Sequence, residues 1–293
     1  MKKSPGIRTE TLVKLFIYVA LIALAISIVI PVAWVFMASI KENEAFYKNP
    51  WLLPEGFHWQ NFIEAFRDAK MGDYLINSVM VTTLSLLFLL IVALPAAYVL
   101  SRFEFWGSRF LNSFVKAGLF INVSYIAVPI FLMLLSWDAS IKPFLDDGLF
   151  LNNRVVLALI YASTALPFTI YLLSSYFQTL PSDFEEVAAI DGAGYFRTMF
   201  TVMLPMAMPS IIIVILFNFL LFWNEYILAL TLMPGENKTL PVGLLNLLAA
   251  ERAAVNYGPM YAGMVIVMLP TLILYIIVQK RLTQGMTVGG VKG

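Results

Sequence analysis

The chain has 293 residues, a formal net charge of +1, 60% hydrophobic and 13% charged residues, and a mean hydropathy of +0.84. This composition excludes an ordinary soluble domain, and the near-zero charge gives no sign of nucleic-acid binding. The absence of cysteine and the single histidine exclude disulfides, thiol chemistry and a histidine-rich metal site, so no metal and no cofactor is expected. We predict an integral membrane protein.

Six apolar runs are long enough to cross a bilayer, which needs about 20 residues per helix. Their approximate bounds are 15–40, 74–101, 117–137, 155–180, 203–226 and 258–279. We therefore predict an all-α membrane protein in which residues 1–293 form a single transmembrane domain. Prolines inside four of these runs predict kinks, which suit a gated pathway or a static bundle equally: Pro95, Pro129, Pro167 and Pro270.

The basic residues predict the orientation of the spans. Lysine and arginine are concentrated in the N-terminus, the 102–116 loop and the 280–293 tail, whereas the 41–73 loop carries more acids than bases. The positive-inside rule then places both termini in the cytoplasm. The first apolar run is too long for a signal peptide and lacks a small-residue cleavage site, so we expect it to be a retained anchor.

A polar segment, residues 181–204, separates the fourth and fifth runs and carries the carboxylates Asp183, Glu185, Glu186 and Asp191. Ser182 followed by Glu185 predicts a capping box at the start of a short helix. Gly192 predicts the left-handed residue at which that helix ends. On pattern alone this segment is either a docking surface or a solvated loop helix.

The same short helix is expected to have one apolar face, because Phe184, Val187 and Ala188 fall at helical spacing. Downstream, Phe196 and Phe200 are four residues apart, and Pro205 and Pro209 lie at the start of the fifth span, where proline is tolerated.

Polar and aromatic groups at membrane depth are candidates for lining a substrate path: Asn122, Tyr125, Asn218, Trp223, Asn224 and Glu225. Seven residues separate Asn218 from Glu225, so we expect the two to share a helix face. Such groups face an aqueous cavity or hydrogen-bond between helices. The sequence leaves both interpretations open.

Residues 185–193 read Glu-Glu-Val-Ala-Ala-Ile-Asp-Gly-Ala, with Leu204-Pro205 downstream, and this string resembles the EAA loop of the membrane subunits of ABC importers. In that family the loop is the coupling helix, which sits in a cleft of the cytoplasmic ATPase. The resemblance implies ATPase contacts by Glu185, Glu186, Ala188, Asp191, Gly192 and Ala193. Val187 departs from the small residue usual there, which should alter packing rather than abolish docking.

Weaker motifs indicate the carbohydrate type of permease. Residues 97–107 and 222–230 resemble the ends of its second and fifth spans, and residues 284–293 resemble the tail of the maltose-transporter type. That tail inserts between ATPase subunits, which implies contacts by Gln284, Gly289, Gly290 and Lys292. Trp223 beside an amide and a carboxylate offers the stacking surface and hydrogen bonds that sugars need.

The resemblance implies a type I importer permease that imports a sugar or oligosaccharide across a bacterial plasma membrane. Its partners would be a second homologous permease in a heterodimer, a cytoplasmic ATPase dimer, an extracellular solute-binding protein, the sugar and the lipid bilayer, with no nucleic acid. The 231–256 loop would face the binding protein, and Gly235, Gly243 and Gly258 would let it bend.

Catalytic motifs are missing from the sequence. It has no Gly-x-x-x-x-Gly-Lys-Ser/Thr loop, no His-Glu-x-x-His and no Gly-x-Ser-x-Gly, which favours a non-catalytic subunit driven by a partner. An ABC permease for a non-sugar solute is the main alternative. An ATP-independent secondary transporter would need an intramembrane ionisable relay or inverted repeats, and a membrane enzyme would need a catalytic cluster.

Overall fold

The computed structural model of the chain describes the backbone of residues 7–142 and 148–288, with side chains at 11–142, 148–252 and 254–279. Within these ranges the regular structure is helical. The helices are α1 (Ile7–Ser39), α2 (Asn43–Lys48), α3 (Gln60–Ile63), α4 (Met71–Arg102), α5 (Ser108–Gly118), α6 (Val123–Ile141), α7 (Arg154–Phe177), α8 (Asp183–Ile190), α9 (Tyr195–Thr198), α10 (Leu204–Met206), α11 (Met208–Trp223), α12 (Ile227–Leu232), α13 (Leu240–Ala254) and α14 (Tyr257–Val288).

Among the described residues, five helices are long and apolar enough to cross a membrane, and a sixth crossing is made if one bent pair counts as a span. The five are Thr11–Ser39, Met71–Arg102, Val123–Ile141, Arg154–Phe177 and Tyr257–Gln279. The predicted all-α membrane fold is confirmed. The extent of the single domain stays a prediction.

The third crossing begins later than the apolar run suggests. The run at 117–137 is interrupted, because α5 ends at Gly118 and α6 starts only at Val123. Asn122 caps α6, its side-chain oxygen accepting from the Ser124 N–H at 2.9 Å. Asn122 is therefore a helix cap in a break between two helices, not a residue inside a continuous span. At this break a Cβ on Gly118 would meet Pro167 of α7 at 2.7 Å, so the glycine permits close helix packing.

The bent pair consists of Tyr195–Met206 and Met208–Trp223, whose directions differ by 75°. Pro205 and Pro209 lie in the first turns of α10 and α11, on either side of Ala207. Proline cannot donate a backbone hydrogen bond and is tolerated at such positions, so the two prolines account for the bend. A π-helical turn, Met199–Met203, precedes it.

Contacts divide the chain into two compact units, the first comprising residues 1–71 and 246–268 and the second residues 72–245 and 269–293. The first unit is held together by aromatic contacts and by hydrogen bonds from a buried side-chain amide. Tyr261 packs edge-on against Trp34 and stacks on Phe46. Buried Asn61 donates to the carbonyls of Ser39 and Lys41, which fixes the chain after α1.

The core of the second unit lies around α4 and α7. The buried face of α4 includes Ala93 and Ala97, and α7 contributes Tyr161, Leu173 and Phe177. Small alanines let the two helices approach closely enough for Ser174 Oγ to donate to the Ala97 carbonyl at 3.2 Å. The C-terminal end of α4 is thereby tied to α7 close to where the polar 181–204 segment begins.

The three glycines in and beside the 231–256 region permit close packing. A Cβ on Gly235 would meet Asn152 at 2.5 Å, and one on Gly243 would meet Tyr74 at 2.1 Å. In the first unit a Cβ on Gly258 would lie 2.4 Å from Asn61. The expectation of a bending loop is wrong at Gly243 and Gly258, which lie inside α13 and α14, whereas Gly235 does lie at a bend between α12 and α13.

Candidate functional site

The polar segment folds as the short helix α8, but the predicted capping box is not formed. Ser182 makes no side-chain cap hydrogen bond, although its carbonyl accepts from the Glu185 and Glu186 N–H groups. The Glu185 carboxylate instead accepts from the Tyr98 hydroxyl at 2.7 Å. A tertiary partner has displaced the local one because a buried tyrosine hydroxyl also needs an acceptor.

The end of α8 agrees with the predicted role of Gly192, whose φ is +77°. The Gly192 N–H donates to the Ala189 carbonyl at 3.0 Å, and the Ala193 N–H donates to the Ala188 carbonyl at 2.9 Å. These two bonds form a Schellman motif, which satisfies carbonyls that the helix end would otherwise leave free. Glycine suits this position because it adopts the left-handed conformation without steric cost.

The apolar residues of α8 point in two directions, so the expected single apolar face is wrong. Ala188 is buried at 7% exposure and packs inward. Phe184, Val187 and Ile190 point outward, with Ile190 83% exposed. Residues 185 and 188 form the inward face of α8, and residues 184, 187 and 190 form its outward face. Both sets have helical spacing.

Exposed aromatic side chains also follow the glycine turn. Tyr195 and Phe196 are both more than three-quarters exposed, at 77% and 78%, and Phe200 is exposed as well. We define the coupling face as Phe184, Val187, Ile190, Tyr195 and Phe196. Of the other predicted contact residues, Glu186 and Asp191 are exposed on this segment and Ala193 is half-buried.

Two residues of α4 complete the surroundings of α8. Arg102 Nη2 donates to the Leu180 carbonyl at 2.7 Å, and its Nε lies 3.4 Å from Glu185 Oε2, within ion-pair distance but without a hydrogen bond. Tyr98 packs edge-on against Phe177 at 5.7 Å. In the sequence, Tyr98 and Arg102 stand out only as members of the 97–107 motif, because no local pattern indicates that Glu185, more than eighty residues away, is their partner.

The candidate substrate-path residues on α11 are used within the protein. Asn218 is 1% exposed, and its Nδ2 donates to Thr169 Oγ1 at 3.0 Å and to the Val214 carbonyl at 2.8 Å. Trp223 is buried and stacks on Phe219. These contacts agree with the interpretation that the polar groups hydrogen-bond between helices, and not with the one in which they line an aqueous cavity.

Glu225 does not share a helix face with Asn218, because α11 ends at Trp223 and Asn224 is its C-cap. The Glu225 carboxylate accepts from the N–H groups of Leu228 and Ala229, at 2.8 and 3.2 Å, and from the Tyr161 hydroxyl. It therefore caps the start of α12, a role for which the Glu-x-x-Leu-Ala spacing is the only sequence signal.

A cavity of about 340 Å³ lies beside this turn, between α7, α11 and α12. Its polar lining comes from Tyr161, Thr164, Asn224, Glu225 and Tyr226. Asn224 is exposed, with Nδ2 donating to the Leu220 carbonyl at 2.8 Å. Tyr125, the remaining candidate, is 81% exposed on the first turn of α6.

The predicted ATPase-contacting tail is mostly beyond what the structure describes. The backbone of α14 is helical through Val288, which includes Gln284. The Gln284 side chain, Gly289, Gly290 and Lys292 lie outside the described residues.

A family profile described as "Binding-protein-dependent transport system inner membrane component" matches residues 89–288, which include α8 and the coupling face. The chain belongs to this family. It is thus a multi-pass inner-membrane component of a transport system that works with a binding protein, and the family resemblance read from residues 185–193 is confirmed.

Curated relatives of this permease span almost its full length. It is 36% identical to a diacetylchitobiose uptake system permease of Streptomyces coelicolor, over 92% of this chain and 86% of the relative. It is 30% identical to a trehalose transport system permease of Mycobacterium tuberculosis, over 90% and 92% of the two chains. It is 28% identical to a trehalose/maltose transport system permease of Thermococcus litoralis, over 98% and 99%.

The fold of the permease also matches a solved structure. A chain from the crystal structure of a bacterial ABC transporter involved in the import of alginate superposes with a TM-score of 0.79 at 23% identity. The match covers 94% of this chain and 99% of the other. At this identity the likeness establishes a shared importer-permease fold.

Proposed function

We propose that this permease is a membrane subunit of an ATP-driven importer of a sugar or oligosaccharide, coupled to its ATPase through α8. The observation that carries this proposal is the coupling face. Its five residues are exposed and largely apolar, and they lie on a short helix between two spans and on the helix that follows the glycine turn. Exposed apolar patches of this kind favour protein–protein contact. Family membership and a loop resembling the EAA type support an ATPase as that partner.

The proposed transport cycle depends on an energy source outside the permease. Reversing a two-state access equilibrium from 1:99 to 99:1 takes about 5.5 kcal/mol of differential binding. An ATPase dimer that opens and closes around α8 supplies such a difference. The permease itself is proposed to be non-catalytic, since it carries no phosphate-binding loop.

The sugar substrate is supported by the relatives, whose names specify diacetylchitobiose, trehalose and maltose. The cavity beside α12 adds tyrosine rings, a threonine hydroxyl and an amide, groups that suit a sugar hydroxyl. Because the Glu225 carboxylate already accepts from three donors, we assign it to holding the cavity wall. The permease then lines the route, with Asn224 and Tyr226 facing the substrate.

The proposed assembly contains a second homologous permease, an ATPase dimer and an extracellular solute-binding protein. The solute-binding protein is supported by the family description, and the solved alginate transporter also has a complex with a pentasaccharide-bound periplasmic protein. Both termini are proposed to be cytoplasmic, so that α8 faces the ATPase. The tail residues Gln284, Gly289, Gly290 and Lys292 are proposed to contact the same partner.

The experiment is uptake by proteoliposomes that contain this permease, its companion permease, the ATPase and the binding protein. Radiolabelled diacetylchitobiose, trehalose and maltose are tested in parallel, with phosphate and an amino acid as non-sugar solutes. We expect uptake of at least one sugar that requires ATP and the binding protein. Uptake without the ATPase would assign the permease to secondary transport, and uptake restricted to a non-sugar solute would overturn the sugar assignment.

A further inference from the structure

Two side chains near the C-terminal end of α4 contact the Glu185 carboxylate of α8. Tyr98 Oη donates to Glu185 Oε1 at 2.7 Å, and Arg102 Nε lies 3.4 Å from Glu185 Oε2. Arg102 also donates to the Leu180 carbonyl at 2.7 Å. The first turn of α8 and the residues just before it are therefore held by the same two side chains of α4.

A second set of contacts holds the other arm of the segment, beyond the Gly192 turn. Phe103, the residue after α4, packs edge-on against Tyr195 at the start of α9 with ring centres 5.7 Å apart. Phe103 also packs against Tyr98 at 5.6 Å. The end of α4 thus contacts the segment on both sides of its turn.

α8 also packs against α9 and the Met199–Met203 turn, and Ala188 is its buried residue. Charge-assisted hydrogen bonds are about twice as strong as neutral ones, and partly buried groups are screened less by salt. The Glu185 contacts are therefore a substantial part of what fixes α8 on the permease.

We propose that Tyr98, Arg102 and Glu185 form a latch that makes α8 and α4 move as one body, so that Glu185 is a positioning residue and not an ATPase contact. This inference rests on the proposed coupling function and revises the role that the family resemblance gave to Glu185. Displacement of α8 by the ATPase passes through the latch to α4, whose helix continues through the membrane span Met71–Arg102.

The latch is tested directly by a distance measurement in the assembled importer without ATP. The chain has no cysteine, so spin labels are placed only at Asp183→Cys on α8 and Val99→Cys on α4, both exposed positions. We expect one narrow distance distribution in the parent protein. Tyr98→Phe, which keeps the aromatic contacts and removes only the hydroxyl, should broaden it. Glu104→Gln, an exposed carboxylate near the same end of α4, is the matched control and should leave it narrow.

Transport provides the second measurement. Losing a hydrogen bond to a charged group shifts the balance between latched and released states by about tenfold or more. Tyr98→Phe and Glu185→Ala should each lower the sugar imported per ATP hydrolysed, with copurification of the ATPase unchanged. The double variant should be no worse than Glu185→Ala, because both changes break the same contact. Glu185→Gln, which still accepts from Tyr98, should restore part of the loss.

Two results would overturn the latch. One is a narrow distance distribution together with parent-level import in Tyr98→Phe. The other is a loss of ATPase copurification in Glu185→Ala that Tyr98→Phe does not share, which would make Glu185 a docking contact. Failure of the coupling proposal looks different, because the ATPase would then copurify regardless of changes on the coupling face while the distance measurement still reports the latch.

Discussion

The segment at 181–200 and the segment at 218–225, which covers the end of α11 and the turn after it, both combine acidic and aromatic side chains. The protein uses these side chains differently in the two segments. Asn218 in α11 and Glu225 in the turn after it have hydrogen-bond partners inside the permease. At α8, Ile190 and Phe196 are left exposed with a glycine turn between them. A polar side chain whose hydrogen bonds are made within the chain indicates a structural role. An apolar side chain exposed on a polar segment indicates a contact with a partner protein.

The largest expected effect comes from a charge on the coupling face. Ile190→Asp should abolish copurification of the ATPase, since an unpaired carboxylate buried at an apolar interface costs several kcal/mol. The permease should still reach the membrane because Ile190 is 83% exposed in the chain itself. Asp183→Asn, an exposed change on the same helix, is the control. Normal copurification of Ile190→Asp would remove this face from the docking site.

The glycine turn gives the next largest effect. Gly192→Val places a β-branched residue at φ +77°, where a side chain costs about 1–2 kcal/mol or more, so uptake should fall by about tenfold. The matched control is Gly194→Ala, because Gly194 has a φ of −75° and a Cβ there meets nothing within 4 Å. Equal uptake by the two variants would show that the shape of the turn is not needed for coupling.

A change at Asn218, which is buried in α11, should lower stability instead of transport. Asn218→Leu leaves Thr169 without its partner and should lower the free energy of unfolding by about 1–3 kcal/mol. Thermal unfolding of the purified complex measures this, with Thr169→Val as the second arm of a double-mutant cycle. Substrate preference should stay the same. A changed preference for diacetylchitobiose over trehalose, at unchanged stability, would return Asn218 to the substrate path.

The smallest effect is expected at Asn224, whose side chain is exposed beside the cavity. Asn224→Ala should lower uptake by roughly twofold to fivefold, comparable to the loss of one hydrogen bond of about 0.5–1 kcal/mol. Binding of sugar to the solute-binding protein should not change. An unaltered Michaelis constant and maximal rate of uptake would remove the cavity from the route.

Local signals predicted much of this architecture and missed the parts that depend on distant residues. The left-handed Gly192 was predictable because the helix-ending role of glycine is a property of its own backbone. The break before α6 was missed because Phe120 and Ile121 continue the apolar run, although Asn122 carried a capping signal. The Ser182–Glu185 capping box failed because Tyr98 and Arg102 compete for the same carboxylate, and neighbouring sequence cannot reveal that competition.

The 75° bend at Ala207 has a mechanical consequence. The cosine of 75° is about one quarter, so a push along the axis of Tyr195–Met206 has only that fraction of its length along Met208–Trp223. Nearly all of the motion is directed sideways to the second arm. A thrust from the α8 side that preserves this bend would displace α11 laterally instead of pushing it along its own axis.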